Sequence, residues 1–234
     1  MQAAILAGGL GTRLRPFTEK VPKVMLPVKG EPFIVHLLRL LRENGIQDII
    51  LCIGYLGEQV KDYLGGGKKL GVRLRYSEEK ERLLGTGGAL RQARDLLSER
   101  FYVINGDTYL PIDYSDVGRS FISYGKKALM VVYDNTDDTS VKNNVALDDL
   151  MVIKHQKGGI EAELKYVDAG VLVLSREALD FIEDGSSISL EEGLYPFLIQ
   201  QRELAAFITR QRFYEIGTPE RLRAFEEFLE KGRK

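Results

Sequence analysis

A glycine-rich segment with many basic residues follows the first apolar stretch of the chain. Residues 6–28 read LAGGLGTRLRPFTEKVPKVMLPV. The glycines at positions 8, 9 and 11 permit positive φ and close backbone approach, so successive N–H groups can turn inward toward phosphate oxygens. Residues 10–29 carry a net charge of +4, and their basic members are Arg13, Arg15, Lys20, Lys23 and Lys29. Such a local charge favours a polyphosphate ligand.

Two familiar phosphate-binding loops do not fit this spacing. A G-x-G-x-x-G dinucleotide fingerprint that begins at the second glycine meets Leu14 in place of its third glycine. Pro16 and Pro22 then hinder the helix that should follow at once. A Walker A loop needs Gly-Lys-Ser/Thr, which the segment lacks. The prolines instead predict a long, stiffened loop that folds over its ligand and presents Arg13 and Lys23 from one side.

Two acidic positions could complement this loop. Asp107 follows the apolar stretch FYVI, and ligands bind at the carboxyl ends of parallel strands. Magnesium takes one or two protein carboxylates, but an aspartate after Asn-Gly also fits a simple turn, so both roles stay open. Glu79 lies in the acidic run YSEEKER. Its carboxylate could accept hydrogen bonds from the N–H donors of a ligand, although a solvated charge run has the same composition.

Apolar runs that alternate with helix-period segments must position these residues. The pattern predicts short buried strands at residues 3–7, 49–53, 72–76, 101–104 and 128–133. It predicts helices over residues 32–44, ending at Gly45, and over residues 88–97. Because parallel strands need crossover connections, this rhythm predicts an α/β fold with a mixed, mostly parallel sheet covered by helices on both sides.

After about residue 135 the pattern changes to shorter strand-like pieces at residues 144–147, 151–153 and 167–174. We interpret residues 135–217 as a β-rich elaboration on the same single domain, following a core of residues 1–134. Helices are predicted over residues 190–201 and 219–231. Ser189 and Glu192 form a capping box that leaves Glu191 free, and Thr218 with Pro219 opens the C-terminal helical segment 218–234.

Composition excludes several function classes. The chain of 234 residues has 33 lysines and arginines against 34 acids, so its net charge of −1 gives no global positive field for nucleic acid or an acidic membrane surface. The N-terminal apolar stretch is too short for a signal peptide, and no run approaches a membrane span. The single cysteine, Cys52, favours a reducing, cytoplasmic setting. A homo-oligomer is compatible with the sequence.

The glycine-rich segment resembles, almost position for position, the signature L-A-G-G-x-G-T-R-L-x-P-x-T-x-x-x-P-K-x-[ML]-x-P-V of sugar-1-phosphate nucleotidylyltransferases. The resemblance continues through LGTGGA (84–89), NGD (105–107), DAG (168–170), SLEE (189–192) and EIGTPE (215–220), and covers essentially the whole chain. The chain looks most like the heptose 1-phosphate guanylyltransferase branch, close to mannose-1-phosphate guanylyltransferases. The resemblance implies a Rossmann-like nucleotide-binding core with a sugar-binding elaboration. It also implies transfer of a nucleotidyl group from an NTP, here GTP, to a manno-configured sugar 1-phosphate, with release of pyrophosphate.

The resemblance further implies roles for individual residues. Arg13 would contact the leaving pyrophosphate, and Lys23 the α-phosphate region or the sugar phosphate. Asp107 would hold Mg²⁺, with Glu215 as a second ligand where the family has aspartate. Nucleotide contacts are expected from Leu6, Ala7, Gly8, Gly9, Gly11, Thr12, Glu79, Gly85, Thr86, Gly87 and Asp107. Sugar phosphate contacts are expected from Lys157, Asp168, Gly170 and Glu191.

Departures from the signature keep alternatives open. Glu215 replaces the usual aspartate, and Gln156 replaces an acid, which suits a nucleotide-sugar-binding regulatory subunit that has lost turnover. A UTP- or dTTP-dependent enzyme of the same family is a further alternative. An NAD-dependent oxidoreductase is disfavoured, because the second strand leads into Cys52-Ile53-Gly54 without the acid that would bind a ribose.

Overall fold

A nine-stranded mixed sheet forms the centre of the protein. The computed structural model describes residues 1–137, 141–156 and 162–232. The strands are β1 (Gln2–Leu6), β2 (Pro27–Val28), β3 (Glu31–Pro32), β4 (Asp48–Ile53), β5 (Arg73–Glu78), β6 (Arg100–Asn105), β7 (Thr108–Tyr109), β8 (Ala128–Asp134), β9 (Val145–Asp148), β10 (Met151–His155), β11 (Tyr166–Ser175), β12 (Leu204–Thr209) and β13 (Tyr214–Glu215). The α-helices are α1 (Phe33–Glu43), α2 (Gly57–Leu64), α3 (Gly85–Gln92), α4 (Tyr114–Tyr124), α5 (Leu190–Gly193), α6 (Tyr195–Gln200) and α7 (Pro219–Glu230).

The central sheet runs in the order β5-β4-β1-β6-β11-β8-β12-β10-β9. Strands β5, β4, β1 and β6 are parallel to one another, and β8 is parallel to β12. Strand β11 lies between β6 and β8 and is antiparallel to both. The mixed, mostly parallel sheet confirms the α/β fold class predicted from the sequence.

Helices cover both faces of the sheet because successive strand residues point to opposite sides. On one face, Ile5 of β1 belongs to a core that includes Leu37 of α1 and Phe225 of α7. On the other face, Ala4 of the same strand belongs to a core that includes Leu90 of α3. The alternation along β1 therefore buries the strand on both sides and leaves its carboxyl end as the part that can meet a ligand.

The sequence pattern predicts one helix wrongly and does not predict several other elements. The helix predicted over residues 190–201 is two short helices, α5 and α6, with Leu194 between them at φ −117° and ψ −48°. Pro196 lies in the first turn of α6, where it lacks an N–H and its ring excludes the carbonyl four residues earlier. The pattern also does not predict α2, α4 and β12. Within the described residues, no helix is long and apolar enough to cross a bilayer.

Helix α7 is held by one buried aromatic residue, and this gives a test of the fold. The Phe225 side chain is fully buried, with its ring centroid 5.2 Å from that of Phe33 and 4.8 Å from that of Tyr109. We expect Phe225→Ala to lower the free energy of unfolding by about 3–5 kcal/mol, measured by urea denaturation, because it leaves a cavity in the core.

Arg223 provides the matched control, because it is exposed on the same helix. We expect Arg223→Ala to change the free energy of unfolding by less than about 0.5 kcal/mol. Equal effects of the two substitutions would contradict the packing of α7 described here.

Candidate functional site

A cavity of about 390 Å³ opens at the carboxyl ends of β1, β4, β5 and β6. This is the edge at which open α/β sheets bind their ligands. Most residues expected to contact the nucleotide, together with both expected catalytic residues, line this one cavity. Those that line it are Leu6, Ala7, Gly8, Gly9, Gly11, Thr12, Arg13, Lys23, Glu79, Gly85, Thr86 and Asp107, and Glu191 of the expected sugar phosphate residues lines it as well.

The glycine-rich segment forms a loop of short 3₁₀ turns over the cavity. Gly11 has φ +62°, and its carbonyl accepts hydrogen bonds from the Leu14 N–H (2.9 Å) and the Thr18 hydroxyl (2.8 Å). Three 3₁₀ turns follow, at Thr12–Leu14, Phe17–Glu19 and Lys23–Met25. Within this fully described segment no α-helix follows Gly11, which agrees with the sequence argument against a dinucleotide fingerprint.

Only part of the positive charge of this loop reaches the cavity. Arg13 and Lys23 line it, whereas Arg15, Lys20 and Lys29 do not. Lys29 instead forms an ion pair with Glu230 at the end of α7. The field at the cavity is therefore weaker than the net charge of +4 over residues 10–29 suggests.

Glu79 provides a carboxylate at the inner wall of the cavity. One of its oxygens accepts a hydrogen bond of 2.6 Å from the Leu84 N–H. The other oxygen, Oε2, packs against Gly8 and Gly54. A Cβ atom added to Gly8 would lie 2.3 Å from this oxygen, and a Cβ atom added to Gly54 would lie 2.6 Å from it. Burial raises the pKa of the Glu79 carboxyl, and the Leu84 N–H partly opposes that rise. Two glycines thus make room for a half-buried hydrogen-bond acceptor.

Helix α3 connects the Glu79 side of the cavity to a second acid. The Thr86 hydroxyl accepts a hydrogen bond of 2.8 Å from the Leu190 N–H, which places Glu191 on the cavity wall. The Ser189 hydroxyl accepts from the Glu192 N–H at 3.2 Å, as the capping motif predicts. Gly87 does not line the cavity, because its N–H donates to the Ile188 carbonyl and its Cα faces that segment.

The two acids expected to bind a metal lie on neighbouring chain segments. Strand β7 pairs with β13, so that Thr108 lies opposite Glu215, and the Ile216 N–H donates to the Asp107 carbonyl at 3.0 Å. Asp107 lines the cavity and forms an ion pair with Lys23. Glu215 does not line the cavity.

An arginine that the sequence argument did not identify holds Glu215. Arg221, in the first turns of α7, forms an ion pair with the Glu215 carboxylate. Burial lowers the pKa of the Arg221 guanidinium, and the nearby charge of Arg13 adds to that effect. Within the described residues, no group of three or more histidine, cysteine, aspartate or glutamate side chains is arranged to hold a metal ion.

The expected sugar phosphate residues are placed less uniformly. Glu191 is on the cavity wall, but Asp168 and Gly170 lie behind it. The Asp168 carboxylate accepts the Gly170 N–H at 2.9 Å, and Gly170 abuts the Asn105 amide, which lines the cavity. Lys157 falls outside the described residues.

Sequence reasoning did not single out six further lining residues. They are Val24, Cys52, Leu83, Ala89, Asn105 and Gly217. Asn105 and Gly217 belong to the motifs NGD and EIGTPE, so a signal for them was present. Burial raises the pKa of the Cys52 thiol to about 12, which makes this cysteine unreactive despite its position on the wall.

The chain is similar to known proteins over nearly its whole length. A family model described as Nucleotidyl transferase matches residues 2–232. A D-glycero-alpha-D-manno-heptose 1-phosphate guanylyltransferase from Campylobacter jejuni is 32% identical over 220 residues, which make up 94% of this chain and 96% of that protein. A mannose-1-phosphate guanylyltransferase catalytic subunit beta from Drosophila melanogaster is 34% identical over 93% of this chain and 60% of that protein. The crystal structure of HddC from Yersinia pseudotuberculosis complexed with GMP-PN has a TM-score of 0.81 and 28% identity, covering 97% of this chain and 99% of that one.

The environment of Glu79 predicts how its charge affects stability. Burial disfavours the charged carboxylate, while a glutamine would keep an acceptor for the Leu84 N–H. We therefore expect Glu79→Gln to raise the free energy of unfolding at neutral pH. Because the folded pKa is raised, the gain should vanish below the unfolded pKa of about 4.3, grow as the pH rises from there to the folded pKa, and stay constant above it. Urea denaturation across this pH range measures the effect.

Glu78 is the matched control because its environment acts in the opposite direction. The Lys61 ammonium lowers the pKa of the Glu78 carboxyl, so its contribution to stability is present above the unfolded pKa and is lost at lower pH. Glu78→Gln should leave stability at neutral pH unchanged or lower it. A loss of stability in Glu79→Gln at neutral pH would show that the Glu79 carboxylate is better solvated than its position indicates.

Proposed function

Since the chain belongs to the nucleotidyl transferase family, we propose that it transfers GMP from GTP to a sugar 1-phosphate of manno configuration, such as heptose or mannose 1-phosphate. An oxygen of the sugar phosphate attacks the α-phosphorus of GTP, a new P–O bond forms, and the bond to the pyrophosphate breaks. The products are a GDP-sugar and pyrophosphate. The observation that carries the proposal is that the glycine loop, Arg13, Lys23 and Asp107 meet in one cavity at the ligand-binding edge of the sheet.

Glu79 supports the choice of guanine. Its Oε2 faces the glycine-lined end of the cavity, while its Oε1 is already occupied by the Leu84 N–H. Guanine has two adjacent donors, N1–H and N2–H, on its Watson–Crick edge, and a carboxylate oxygen is a suitable acceptor for them. Gly85 and Thr86 at the start of α3 line the same cavity, and we assign them to the base. The similarity to heptose and mannose 1-phosphate guanylyltransferases favours the same base.

The phosphates would lie against the glycine loop. Attack of one anion on another requires positioning and charge neutralisation more than a covalent nucleophile. We assign Arg13, which lines the cavity, to the leaving pyrophosphate, and Lys23 to the α-phosphate or the sugar phosphate. Lys23 is paired with Asp107 in the free protein, so substrate binding would divide its charge between the carboxylate and a phosphate oxygen.

Asp107 and Glu215 would together hold Mg²⁺. The donors fit this ion, because both are carboxylates on paired segments and Mg²⁺ prefers oxygen ligands. Each carboxylate already stabilises a positive charge, that of Lys23 or of Arg221. When bound, the metal ion supplies further neutralisation of phosphate charge. The longer Glu215 side chain, held by Arg221 from α7, takes the place of the aspartate that the family usually has.

The remaining wall of the cavity is proposed to face the sugar. Glu79, Gly85 and Thr86 are assigned to the base, and the glycine loop to the phosphates. Glu191 and Asn105 are left on the third side, where a carboxylate and an amide can bind hydroxyl groups. Asp168 and Gly170 act from behind Asn105, and Lys157 is proposed to reach the sugar phosphate.

A matrix of nucleoside triphosphates against sugar 1-phosphates, with pyrophosphate release as the readout, tests the reaction. We expect turnover with GTP and mannose or heptose 1-phosphate, and loss of turnover when Mg²⁺ is removed. Faster turnover with UTP or dTTP would replace the guanine assignment. Stable binding of a GDP-sugar without turnover under any combination would favour a regulatory subunit.

Two substitutions test the catalytic assignments. Arg13→Ala and Asp107→Ala should each lower turnover by about 100-fold or more, since each removes charge stabilisation at the reacting phosphates. Arg15→Ala is the control, because Arg15 belongs to the same loop but lies outside the cavity. Near-normal turnover in Arg13→Ala or Asp107→Ala would contradict the site.

The base assignment has its own test in Glu79→Gln. Glutamine would place an amide N–H against the guanine donors, so we expect the affinity for GTP to fall about tenfold or more. Affinity for UTP should change less, which titration calorimetry with both nucleotides can measure. Glu78→Gln again serves as the control. Equal losses for GTP and UTP would place the base elsewhere.

A further inference from the structure

A buried histidine and a buried aspartate face each other behind the cavity. His155, at the end of β10, and Asp168, on β11, have side chains that are 5% and 13% exposed, and His155 Nε2 lies 3.4 Å from Asp168 Oδ2. Nε2 is buried and has no hydrogen-bond partner in the structure. The His155 ring meets the Tyr195 ring edge to face, with centroids 4.9 Å apart. An unpaired buried ring nitrogen is costly, so its position beside a carboxylate calls for a role.

The Asp168 carboxylate is already engaged with its own chain. Its Oδ1 accepts the Gly170 N–H at 2.9 Å, and the Asp168 N–H donates to the Asn144 amide oxygen at 2.8 Å. The pairing of β11 with β8 shifts register between Asp168 and Leu172, so these contacts hold a bulge in β11. Gly170 occupies this bulge with φ +72°, a conformation that favours glycine. Asp168 therefore shapes the chain and leaves Oδ2 toward His155.

This bulge supports the cavity wall assigned to the sugar. A Cβ added to Gly170 would lie 3.0 Å from the Asn105 amide nitrogen and 2.9 Å from the Thr108 hydroxyl, which shows how tightly the bulge abuts them. Asn105 lines the cavity. Burial raises the pKa of the Tyr195 hydroxyl, and the carboxylates of Asp168 and Glu191 add to that rise, so Tyr195 lies near both acids. The bulge thus abuts Asn105, and the His155 ring packs against Tyr195, whose hydroxyl is influenced by both acids.

We propose that His155 is a positioning residue for the sugar half of the substrate: its Nε2, 3.4 Å from Asp168 Oδ2, carries the proton that makes this contact a hydrogen bond, and the contact fixes the bulge that orients Asn105. This inference rests on the proposed function for the identity of the sugar ligand. Physically, a buried carboxylate needs a donor or a cation. Among the described residues, the basic side chain paired with Asp168 is that of His155. Losing that donor would let the bulge relax away from Asn105 without moving the glycine loop or Glu79.

Binding of GMP and of GDP-mannose, measured by titration calorimetry, separates the two halves of the site. His155→Phe keeps an aromatic ring against Tyr195 but removes the donor. We expect it to weaken GDP-mannose binding about tenfold, the effect of one lost hydrogen bond to a charged group, with GMP binding changed less than about twofold. His155→Gln, which restores an N–H, should recover most of the loss. Equal weakening for both ligands, or no recovery in His155→Gln, would overturn the proposal.

Two further variants distinguish positioning from a general loss of stability. Asp168→Asn keeps the acceptor for the Gly170 N–H, so we expect it to weaken GDP-mannose binding less than His155→Phe does, with the amide donating to His155 Nε2. The double variant His155→Phe/Asp168→Asn should show non-additive effects, as expected for residues in contact. His36→Phe is the control, because it changes the other histidine of the chain. The Nε2 atom of His36 lies 3.0 Å from the Val28 carbonyl oxygen, so this variant should leave GDP-mannose binding unchanged. Fully additive effects at 155 and 168 would contradict a direct contact.

The protonation of the imidazole gives a readout that needs no turnover. The chain has only two histidines, so nitrogen-15 NMR of the imidazoles can be assigned with the His155→Phe variant. We expect Nε2 of His155 to carry a proton at neutral pH, as a donor to Asp168 requires. An unprotonated Nε2 would overturn the proposal even in an active enzyme. The two proposals can fail separately. If the wild-type protein shows no turnover, but Nε2 is protonated and His155→Phe selectively loses GDP-mannose binding, the proposed catalysis is wrong and the role of His155 stands.

Discussion

The parallel pairing of β1 with β4 and β6 is the constraint on which the site depends. Leu6, the last residue of β1, lies opposite Cys52 of β4 and Asn105 of β6. The Leu6 carbonyl also accepts the Gly106 N–H at 2.9 Å, which holds the turn that carries Asp107. A shift of one residue in this register would turn every side chain of the strand to the other face of the sheet. The cavity therefore has its walls placed by backbone hydrogen bonds before any ligand arrives.

Charge within the site is balanced locally. Three carboxylates of the proposed site meet a donor of the chain: Asp107 meets Lys23, Glu215 meets Arg221, and Glu79 meets the Leu84 N–H. Unpaired buried charges would be costly, so the free protein holds these acids with internal partners. When a polyanionic ligand binds, its phosphate oxygens can take up the positive charges that these carboxylates already hold in position, so that little reorganisation of the protein is required.

Helix α7 links the fold to this balance of charge. Its buried Phe225 fastens the helix to α1 and β7, while its Arg221 reaches back to Glu215 beside the cavity. Thr218 caps the helix through the Arg221 N–H, so the cap and the ion pair depend on the same turn. The segment EIGTPE thereby combines a strand that pairs with β7, a glycine on the cavity wall and a helix start. The packing of this helix and the electrostatics of the site are therefore coupled through residues 215–225.

The sequence by itself determined the fold class, the strands β1, β4, β5, β6 and β8, and the loop and acid positions that gather at one edge of the sheet. These follow from short-range periodicity, from glycine and proline chemistry and from motif spacing, which act over a few residues. Tertiary structure alone decided that β11 lies between β6 and β8, that Lys29 turns away to Glu230, and that Asp168 supports a bulge instead of facing the cavity. The ion pair of Lys23 with Asp107 joins residues 84 positions apart. Such partners are chosen by the three-dimensional packing of distant segments, and a local sequence pattern contains no record of that choice.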